Sequence, residues 1–147
     1  MTLTVRFQKL DERAVAPAYG SVAAAGADLY AVTDMPITIA AGQTVLVHTG
    51  LAVEIPEGFV GLVCARSGLA TKQGLAPANK VGVIDADYRG EVMVALYNHS
   101  GESRTIESGE RIAQLVLVPY LTAAYEQADS LTDTARGDGG FGSTGTK

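Results

Sequence analysis

The alternation of apolar and polar residues predicts β-strands along most of this chain. Ile37 and Ile39 alternate with polar or small neighbours, and residues 44–55 and 59–65 are rich in β-branched side chains on either side of a Pro-Glu-Gly turn. Side chains of this kind fit the pleated surface of a sheet, whereas Gly and Pro favour turns. The pattern therefore indicates short strands joined by tight turns.

The same pattern extends to both ends of this region. Further strands are predicted at residues 2–10, 25–31, 81–85, 91–98 and 111–118, with a loop at 17–20. We expect residues 81–85 and 91–98 to form a hairpin around the loop 86–90. One short helix is predicted at residues 67–73, capped by Ser67 and stopped by Gly74. An all-β chain with closely spaced turns is typical of a sandwich or jelly roll.

The last part of the chain differs in composition. Residues 136–147 (RGDGGFGSTGTK) contain almost no aliphatic side chains and cannot bury enough surface to order themselves. We therefore predict a β domain at residues 1–128 and a flexible arm at 129–147. Composition alone favours a disordered tail, but Arg136 and Phe141 among the glycines leave open a flap that orders on an anionic, aromatic ligand.

Charge and cysteine content exclude several classes of protein. The formal net charge is −5, so the basic surface of a nucleic-acid-binding protein is absent. The single cysteine, Cys64, allows neither a disulfide framework nor a cysteine zinc site. No apolar run approaches the length of a membrane span, and the N-terminus does not resemble a secretion signal. We expect a cytoplasmic protein that binds neither nucleic acid nor membrane.

Two stretches in the first half of the chain carry candidate chemistry. Asp28 lies in an otherwise apolar strand, where a carboxylate needs a cationic partner or a metal-bound water. Arg66, Ser67 and Gly68 stand at the start of the predicted helix, where N–H groups and a guanidinium can converge on phosphate oxygens. A structural salt bridge for Asp28 and a simple helix cap for Ser67 remain open as alternatives.

Three more stretches follow. Asn79 offers a hydrogen-bond donor and an acceptor, Asp85 ends an apolar strand where it can act as a general base, and Tyr88 offers a flat face; an ordinary turn is the alternative. Arg111 and Gln114 are polar insertions at the start of a core strand, with edge solvation as the alternative. The glycine-rich arm matches neither a Walker loop nor a dinucleotide fingerprint.

Taken in order, these five stretches resemble the motifs of the trimeric dUTPase family. The likeness runs from residue 25 to residue 145 and is closest at residues 82–91 (GVIDADYRGE) and 136–145 (RGDGGFGSTG). It implies a jelly roll or distorted β-barrel that forms a homotrimer, with active sites at the subunit interfaces and a flexible C-terminal arm. It also implies Mg²⁺-dependent hydrolysis of dUTP to dUMP and pyrophosphate, which limits uracil in DNA and supplies dUMP for dTMP synthesis.

The resemblance also implies a role for each candidate residue. Asp85 would activate the attacking water, Tyr88 would lie under the deoxyribose, and Asp28 would reach Mg²⁺ through water. Uracil would be read by Asn79 and by the backbone of Gly82, Val83 and Ile84. The phosphates would be held by Arg66, Ser67, Gly68 and Gln114. In the arm, Phe141 would stack on uracil, and the triphosphate would be covered by Arg136, Gly142, Ser143 and Thr144.

Two other functions are compatible with this fold. A dCTP deaminase shares it at family level, but the Ile-Asp-x-x-Tyr-Arg-Gly sequence of residues 84–90 favours the uracil enzymes. A non-catalytic trimer that binds a nucleotide as a regulatory ligand is the second alternative, and the intact Asp85 and arm argue against it. A turnover assay with dUTP and dCTP separates these possibilities.

Overall fold

The computed structural model describes residues 2–146, and its regular structure is β-sheet apart from one short helix. The elements are β1 (Arg6–Lys9), β2 (Ala18–Tyr19), β3 (Gly26–Tyr30), β4 (Ile37–Ile39), β5 (Thr44–Glu54), β6 (Phe59–Cys64), α1 (Ser67–Gln73), β7 (Leu75–Pro77), β8 (Gly82–Ile84), β9 (Glu91–Asn98), β10 (Arg104–Ile106) and β11 (Arg111–Pro119).

These strands form three antiparallel sheets. The larger two have the orders β1-β5-β9-β7 and β2-β3-β11-β6-β8, and β10 pairs with β4 in a separate ladder. The predicted all-β jelly roll is confirmed. No ladder within residues 2–146 joins the two larger sheets, so they remain open layers and do not close into a barrel.

Both larger sheets contribute to one hydrophobic core. In β9 burial alternates, which places Val92, Val94 and Leu96 inward, and Leu29 of β3 and Ile112 of β11 are fully buried in the same cluster. Each such side chain stabilises the fold by roughly 1.5–3 kcal/mol. The core fixes the two sheets relative to each other and so gives the loops between them a rigid base.

Several predicted element bounds agree with the structure and several do not. Residues 91–98 form a strand as predicted, but the first strand covers only Arg6–Lys9 of the predicted 2–10. The predicted loop at 17–20 contains β2, which forms because Ala18 pairs with Asp28 of β3. The short β7 and β10 were not predicted. Strands of two or three residues are too short to show an alternation, and their formation depends on the partner strand.

The predicted hairpin between residues 81–85 and 91–98 is wrong. β8 pairs with β6, with Ile84 opposite Gly61, whereas β9 pairs with β5 and β7 in the other sheet. The loop 85–90 therefore crosses from one sheet to the other. Both strands carry an apolar pattern that fits either pairing, and packing of the two sheets decides between them.

The predicted helix has the expected length, but Ser67 does not cap it. Arg66 occupies the N-cap position in an extended conformation, without a side-chain cap, and Ser67 is the first helical residue. The N-cap position therefore lies one residue earlier than predicted, and the Arg66 side chain makes a salt bridge with Asp28 instead of capping the helix. At the other end Gly74 stops the helix as predicted, with a left-handed φ of 70°.

After Pro119 the described chain, up to residue 146, contains neither helix nor strand. Apart from the partly exposed Tyr120, its large side chains are almost fully exposed: Leu121, Tyr125, Leu131 and Phe141. The boundary between domain and arm at residue 128 and the mobility of the arm stay predictions. Within residues 2–146, no helix is long and apolar enough to cross a membrane.

Candidate active site

A cavity of about 300 Å³ lies where the loop 85–90 passes between the two larger sheets. Its wall includes six of the predicted site residues: Asn79, Gly82, Val83, Ile84, Asp85 and Tyr88. Apolar strand residues with a few converging polar groups form the remaining wall, the usual composition of a small-molecule site. Residues that are close in sequence thus also meet in space.

The loop at the mouth of this cavity is held by its own hydrogen bonds. The Tyr88 amide donates to the Asp85 carbonyl at 3.1 Å, and the Tyr88 hydroxyl donates to the Glu91 carbonyl at 2.9 Å. A Cβ atom on Gly90 would overlap the Tyr88 ring, so only glycine leaves room for this packing. Asp85 is exposed at the end of β8 and is therefore accessible to a water molecule.

A tight turn brings Asn79 to the start of β8. Lys80 takes a left-handed conformation with φ of 67°, and the Val81 amide donates to the Asn79 carbonyl at 2.7 Å. A Cβ on Gly82 would lie 3.4 Å from the Asn79 amide nitrogen and 3.1 Å from Val63. Glycine at position 82 thus keeps the start of β8 clear of the Val63 side chain on β6.

Arg89 stabilises the loop from the outside. Its Nη1 donates to the carbonyls of Ala86 at 2.6 Å and Tyr88 at 3.0 Å, and its Nη2 lies 3.8 Å from a Glu54 oxygen. The Arg6 guanidinium, hydrogen-bonded to Glu54 at 2.7 Å, lowers the pKa of that carboxyl and keeps it ionised. Sequence reasoning missed this brace because Glu54 belongs to a distant strand.

Asp85 also borders a larger cavity of about 740 Å³, which Arg6, Glu54 and Arg89 line. That cavity holds none of the residues predicted to read the base or the sugar. The smaller cavity, which is lined by the residues predicted to read the base and the sugar, is called the nucleoside cavity below, and Asp85 lies between the two spaces.

The second group of predicted residues forms a cationic cluster on the five-stranded sheet. Asp28 accepts from Arg66 Nε at 2.9 Å and from Arg111 Nη1 at 3.2 Å, and its side chain is only 15% exposed. Gln114 lies opposite Asp28 in the ladder and donates to the Ala65 carbonyl at 2.9 Å. Two guanidiniums share one carboxylate, which leaves a net positive charge.

The cluster lies beside the first turn of α1. Ser67 and Gly68 are exposed there, next to Arg66 in the N-cap position. The salt bridge that was open as an alternative for Asp28 is present, and Arg111 is a second partner that was not among the predicted site residues. A charged residue at the start of a core strand is unusual, and this feature of Arg111 was the sequence signal that could have identified it.

The two groups of residues lie at opposite ends of the strand pair β6–β8. Val63 pairs with Gly82 and Gly61 with Ile84, so Arg66 follows one end of β6 while Asp85 lies level with the other end, near Val60. Four residues of β6 and the two residues after it separate these levels, which at about 3.3 Å per residue is at most about 20 Å. The backbones of the candidate base and of the cationic cluster therefore stand well apart in one chain.

The predicted arm residues stay apart from both groups. Arg136 Nε donates to the Gly139 carbonyl at 2.8 Å, and Phe141 is fully exposed with φ of 50°. Gly142 also has a positive φ, and the turn continues through Ser143, whose amide donates to the Gly140 carbonyl at 3.0 Å. Neither these residues nor Thr144 line the nucleoside cavity of the described chain.

A jelly roll with a nucleoside-sized cavity, an exposed carboxylate at its edge and a separate cationic cluster fits the class of nucleotide hydrolases. Comparison with known proteins identifies the family: residues 12–145 match the sequence model of the dUTPase family. The chain belongs to the dUTPase family, and the resemblance inferred from its five motifs is confirmed.

Relatives and solved structures agree with this assignment. The deoxyuridine 5'-triphosphate nucleotidohydrolase of Desulfitobacterium hafniense is 49% identical over 96% of this chain and 94% of its own, and that of Rickettsia felis is 47% identical over 99% of both. A variant of the Staphylococcus bacteriophage 80alpha dUTPase with dUpNHpp superposes with a TM-score of 0.86 at 29% identity, covering 99% of this chain and 100% of the phage chain.

A variant of the dUTPase from phage phi11 of S. aureus has a TM-score of 0.77 at 27% identity, covering 87% of this chain and 98% of the phage chain. Its structure describes the coordination of a structural Mg(II) ion. In the present chain no group of three or more His, Cys, Asp or Glu residues within 2–146 is placed to hold a metal ion.

Proposed function

We propose that this member of the dUTPase family hydrolyses dUTP to dUMP and pyrophosphate with Mg²⁺, and thereby limits uracil in DNA and supplies dUMP for dTMP synthesis. The observation that carries the proposal is that Asn79, Asp85 and Tyr88 line one cavity of nucleoside size. Relatives 47–49% identical bear the name of this activity. The cytoplasmic location predicted from the sequence belongs to the same proposal.

Recognition of the base rests on Asn79 and on the backbone of β8. Uracil and cytosine exchange donor and acceptor at one ring edge, so an amide side chain beside fixed backbone groups can match only one of them. A mismatched base leaves buried polar groups unpaired, which discriminates more strongly than shape alone. Asn79 and Gly82 line the same cavity, which supports this role, and a tight cavity rejects the methyl group of thymine sterically.

Asp85 acts as the general base. It stands exposed at the end of β8 beside the nucleoside cavity, where it can orient a water molecule in line with the α-phosphorus. Positioning and charge neutralisation dominate phosphoryl chemistry, and a carboxylate base adds about 10²- to 10⁴-fold. The brace of Arg89 on the loop 85–90 keeps this carboxylate close to the sugar.

The phosphates bind at Arg66, Ser67, Gly68 and Gln114. Arg66 is half-buried, and its charge is shared with Arg111 on the single carboxylate of Asp28, so the cluster favours an anion. Charge-assisted hydrogen bonds to phosphate oxygens are about twice as strong as neutral ones.

The donor set fits an outer-sphere magnesium site. Each oxygen of Asp28 accepts one hydrogen bond from an arginine and retains an acceptor position for a metal-bound water. Magnesium keeps several of its waters and binds mainly through substrate phosphates, so a cluster of protein carboxylates is not required. When bound, the ion neutralises charge on the phosphate oxygens.

The active site is shared between subunits of a homotrimer. The backbone separation of up to about 20 Å between Asp85 and Arg66 supports this arrangement, because phosphates that follow directly on a sugar beside Asp85 then lie far from the cluster of the same chain. A neighbouring subunit in a closed ring can present its own cluster and its own arm to the cavity. The exposed Phe141 and Arg136 then cover the base and the triphosphate.

The decisive experiment measures pyrophosphate release from dUTP, dCTP, dTTP and UTP with Mg²⁺. We expect release from dUTP to be the most efficient, because dCTP presents a mismatched base edge, dTTP carries an extra methyl group and UTP carries a 2′-hydroxyl against Tyr88. The mismatched edge of dCTP should cost the most, about 10⁴-fold, since it leaves buried polar groups unpaired. Ammonia release from dCTP would instead identify a deaminase. Binding of dUTP without any turnover would identify a regulatory nucleotide-binding protein.

A further inference from the structure

An irregularity in the four-stranded sheet lies directly behind the nucleoside cavity. His48 pairs with Met93 and Ala52 pairs with Glu91, so β5 has three residues where β9 has only Val92. Such a bulge leaves backbone groups without ladder partners, and each must be satisfied in another way. Gly50, at the centre of the bulge, has a left-handed φ of 66°.

Two side chains satisfy these groups. The hydroxyl of Thr49 donates to the Val92 carbonyl, and one carboxylate oxygen of Glu91 accepts the Gly50 amide at 2.8 Å. The other carboxylate oxygen of Glu91 lies 2.9 Å from His48 Nδ1. With its side chain 22% exposed, Glu91 is held on both oxygens by the bulge.

Glu91 is also the hydrogen-bond partner of Tyr88. Its backbone carbonyl accepts the Tyr88 hydroxyl at 2.9 Å. The residue therefore connects the bulge, through its side chain, to the aromatic ring at the cavity, through its backbone. Glu91 borders the nucleoside cavity on one side and the pocket around His48 and Gly50 on the other.

We propose that Glu91 is a positioning residue for sugar discrimination: by fixing its own backbone to the β5 bulge, it holds Tyr88 where the ring excludes a 2′-hydroxyl. This inference rests on the proposed function. It adds to the tyrosine ring, which is proposed to touch the sugar, the residue Glu91 that holds this ring in place. An unanchored tyrosine, 42% exposed, can rotate outward and admit a ribose. Glu91 itself contacts no reacting atom.

The test compares kcat/KM for dUTP and UTP in Glu91→Ala. We expect the preference for dUTP to fall by about 3- to 10-fold, the effect of losing one anchoring hydrogen bond. We expect KM for dUTP to rise and kcat/KM for UTP to increase. The kcat for dUTP should change little, because the general base Asp85 is not altered. Glu91→Gln keeps an oxygen that can accept the Gly50 amide, so it should restore most of the preference.

A matched control separates positioning from general loss of stability. Thr49→Val removes the other side chain that satisfies the bulge, yet Thr49 has no bond to Tyr88 or to its partner carbonyl. It should lower the melting temperature at least as much as Glu91→Ala while leaving the dUTP preference unchanged. An equal loss of preference in both variants would overturn the proposal.

A double-mutant cycle tests the route through the tyrosine. Tyr88→Phe removes the hydroxyl, so adding Glu91→Ala to it should cause little further loss of preference, whereas independent effects would multiply. Multiplying effects, or an unchanged preference in Glu91→Ala, would overturn the role of Glu91.

A measurement without substrate keeps the two proposals distinguishable. Hydrogen exchange at the Gly50 amide should accelerate in Glu91→Ala and not in Tyr88→Phe, because only the former removes its acceptor; unchanged exchange would contradict the anchor. If the wild-type protein shows no preference for dUTP over UTP, the proposed function fails. If it shows that preference and Glu91→Ala keeps it, the positioning role alone fails.

Discussion

The side chain of Gln114 fills the space that a Cβ atom on Gly26 would occupy. The two residues lie on adjacent strands, and an added methyl group would overlap the amide end of Gln114 and lie 3.2 Å from its Cβ. Gln114 in turn donates to the Ala65 carbonyl just before Arg66. Glycine at position 26 therefore sets the position of a residue in the cationic cluster.

Gly26→Ala is expected to displace Gln114 and weaken triphosphate binding. Overpacking of this kind costs about 1–3 kcal/mol. Calorimetry should show a larger loss of affinity for a non-hydrolysable dUTP analogue than for dUMP, because the nucleoside cavity is not altered. Gly20→Ala is the matched control, since a Cβ there meets nothing within 4 Å; equal losses in both variants would contradict the link to Gln114.

Asp85→Asn is expected to abolish most turnover while retaining binding. The substitution keeps the shape of the side chain and removes its ability to accept a proton, so kcat should fall by about 10²-fold or more with the affinity for the dUTP analogue near that of the wild type. Asp87→Asn serves as the control, because Asp87 lies in the same loop but does not line the nucleoside cavity. Near-normal turnover in Asp85→Asn rules out the assignment of the base.

The sequence predicted one half of the site better than the other, for a physical reason. Asn79, Asp85 and Tyr88 lie within one contiguous stretch, so their closeness in the chain was enough to predict that they line one cavity. The pairing of the flanking strands was predicted wrongly, because their apolar pattern does not distinguish a hairpin from strands in two sheets.

The cationic cluster depends instead on strand order. Asp28, Arg111 and Arg66 belong to or follow β3, β11 and β6, which are neighbours in the sheet but far apart in the chain. Which strands become neighbours in a sheet is set by packing of the whole domain, and it produces no periodic pattern in the local sequence. The resemblance to a family implied separate roles for Asp28, at Mg²⁺, and for Arg66, at the phosphates, but the bridges that join them with Arg111 and the bulge behind Tyr88 became visible only in the structure.

The arm is expected to become ordered on substrate. Hydrogen exchange from about residue 135 onward should be fast in the free protein and slow with a dUTP analogue and Mg²⁺. Phe141→Ala should weaken analogue binding by about 1–3 kcal/mol, the scale of aromatic–base stacking. Leu131→Ala, an equally exposed apolar residue of the arm outside the glycine stretch, should change binding little. Identical exchange with and without the analogue would count against closure.

The last prediction concerns which chains supply the base and the arm. Between β11 and residue 146 the chain, including the arm, contains neither helix nor strand, and the exposed Phe141 does not line the cavity that Asp85 borders. We therefore expect Asp85 and the arm of one active site to come from different subunits. Two inactive proteins test this: one carries Asp85→Asn, and the other ends at Ala135 and so lacks Arg136 and Phe141.

Each protein alone should be inactive, because every site lacks either the base or the arm. The two are unfolded together in equal amounts and refolded, so that chains mix at random. If base and arm come from different chains, a site works when the truncated chain supplies the base and the Asn chain supplies the arm. Each condition is met about half of the time, so activity should recover to about a quarter of wild type. If both come from the same chain, no site is complete and activity stays at background. Background activity in trimers whose mixed composition mass spectrometry confirms would show that the arm closes on its own subunit.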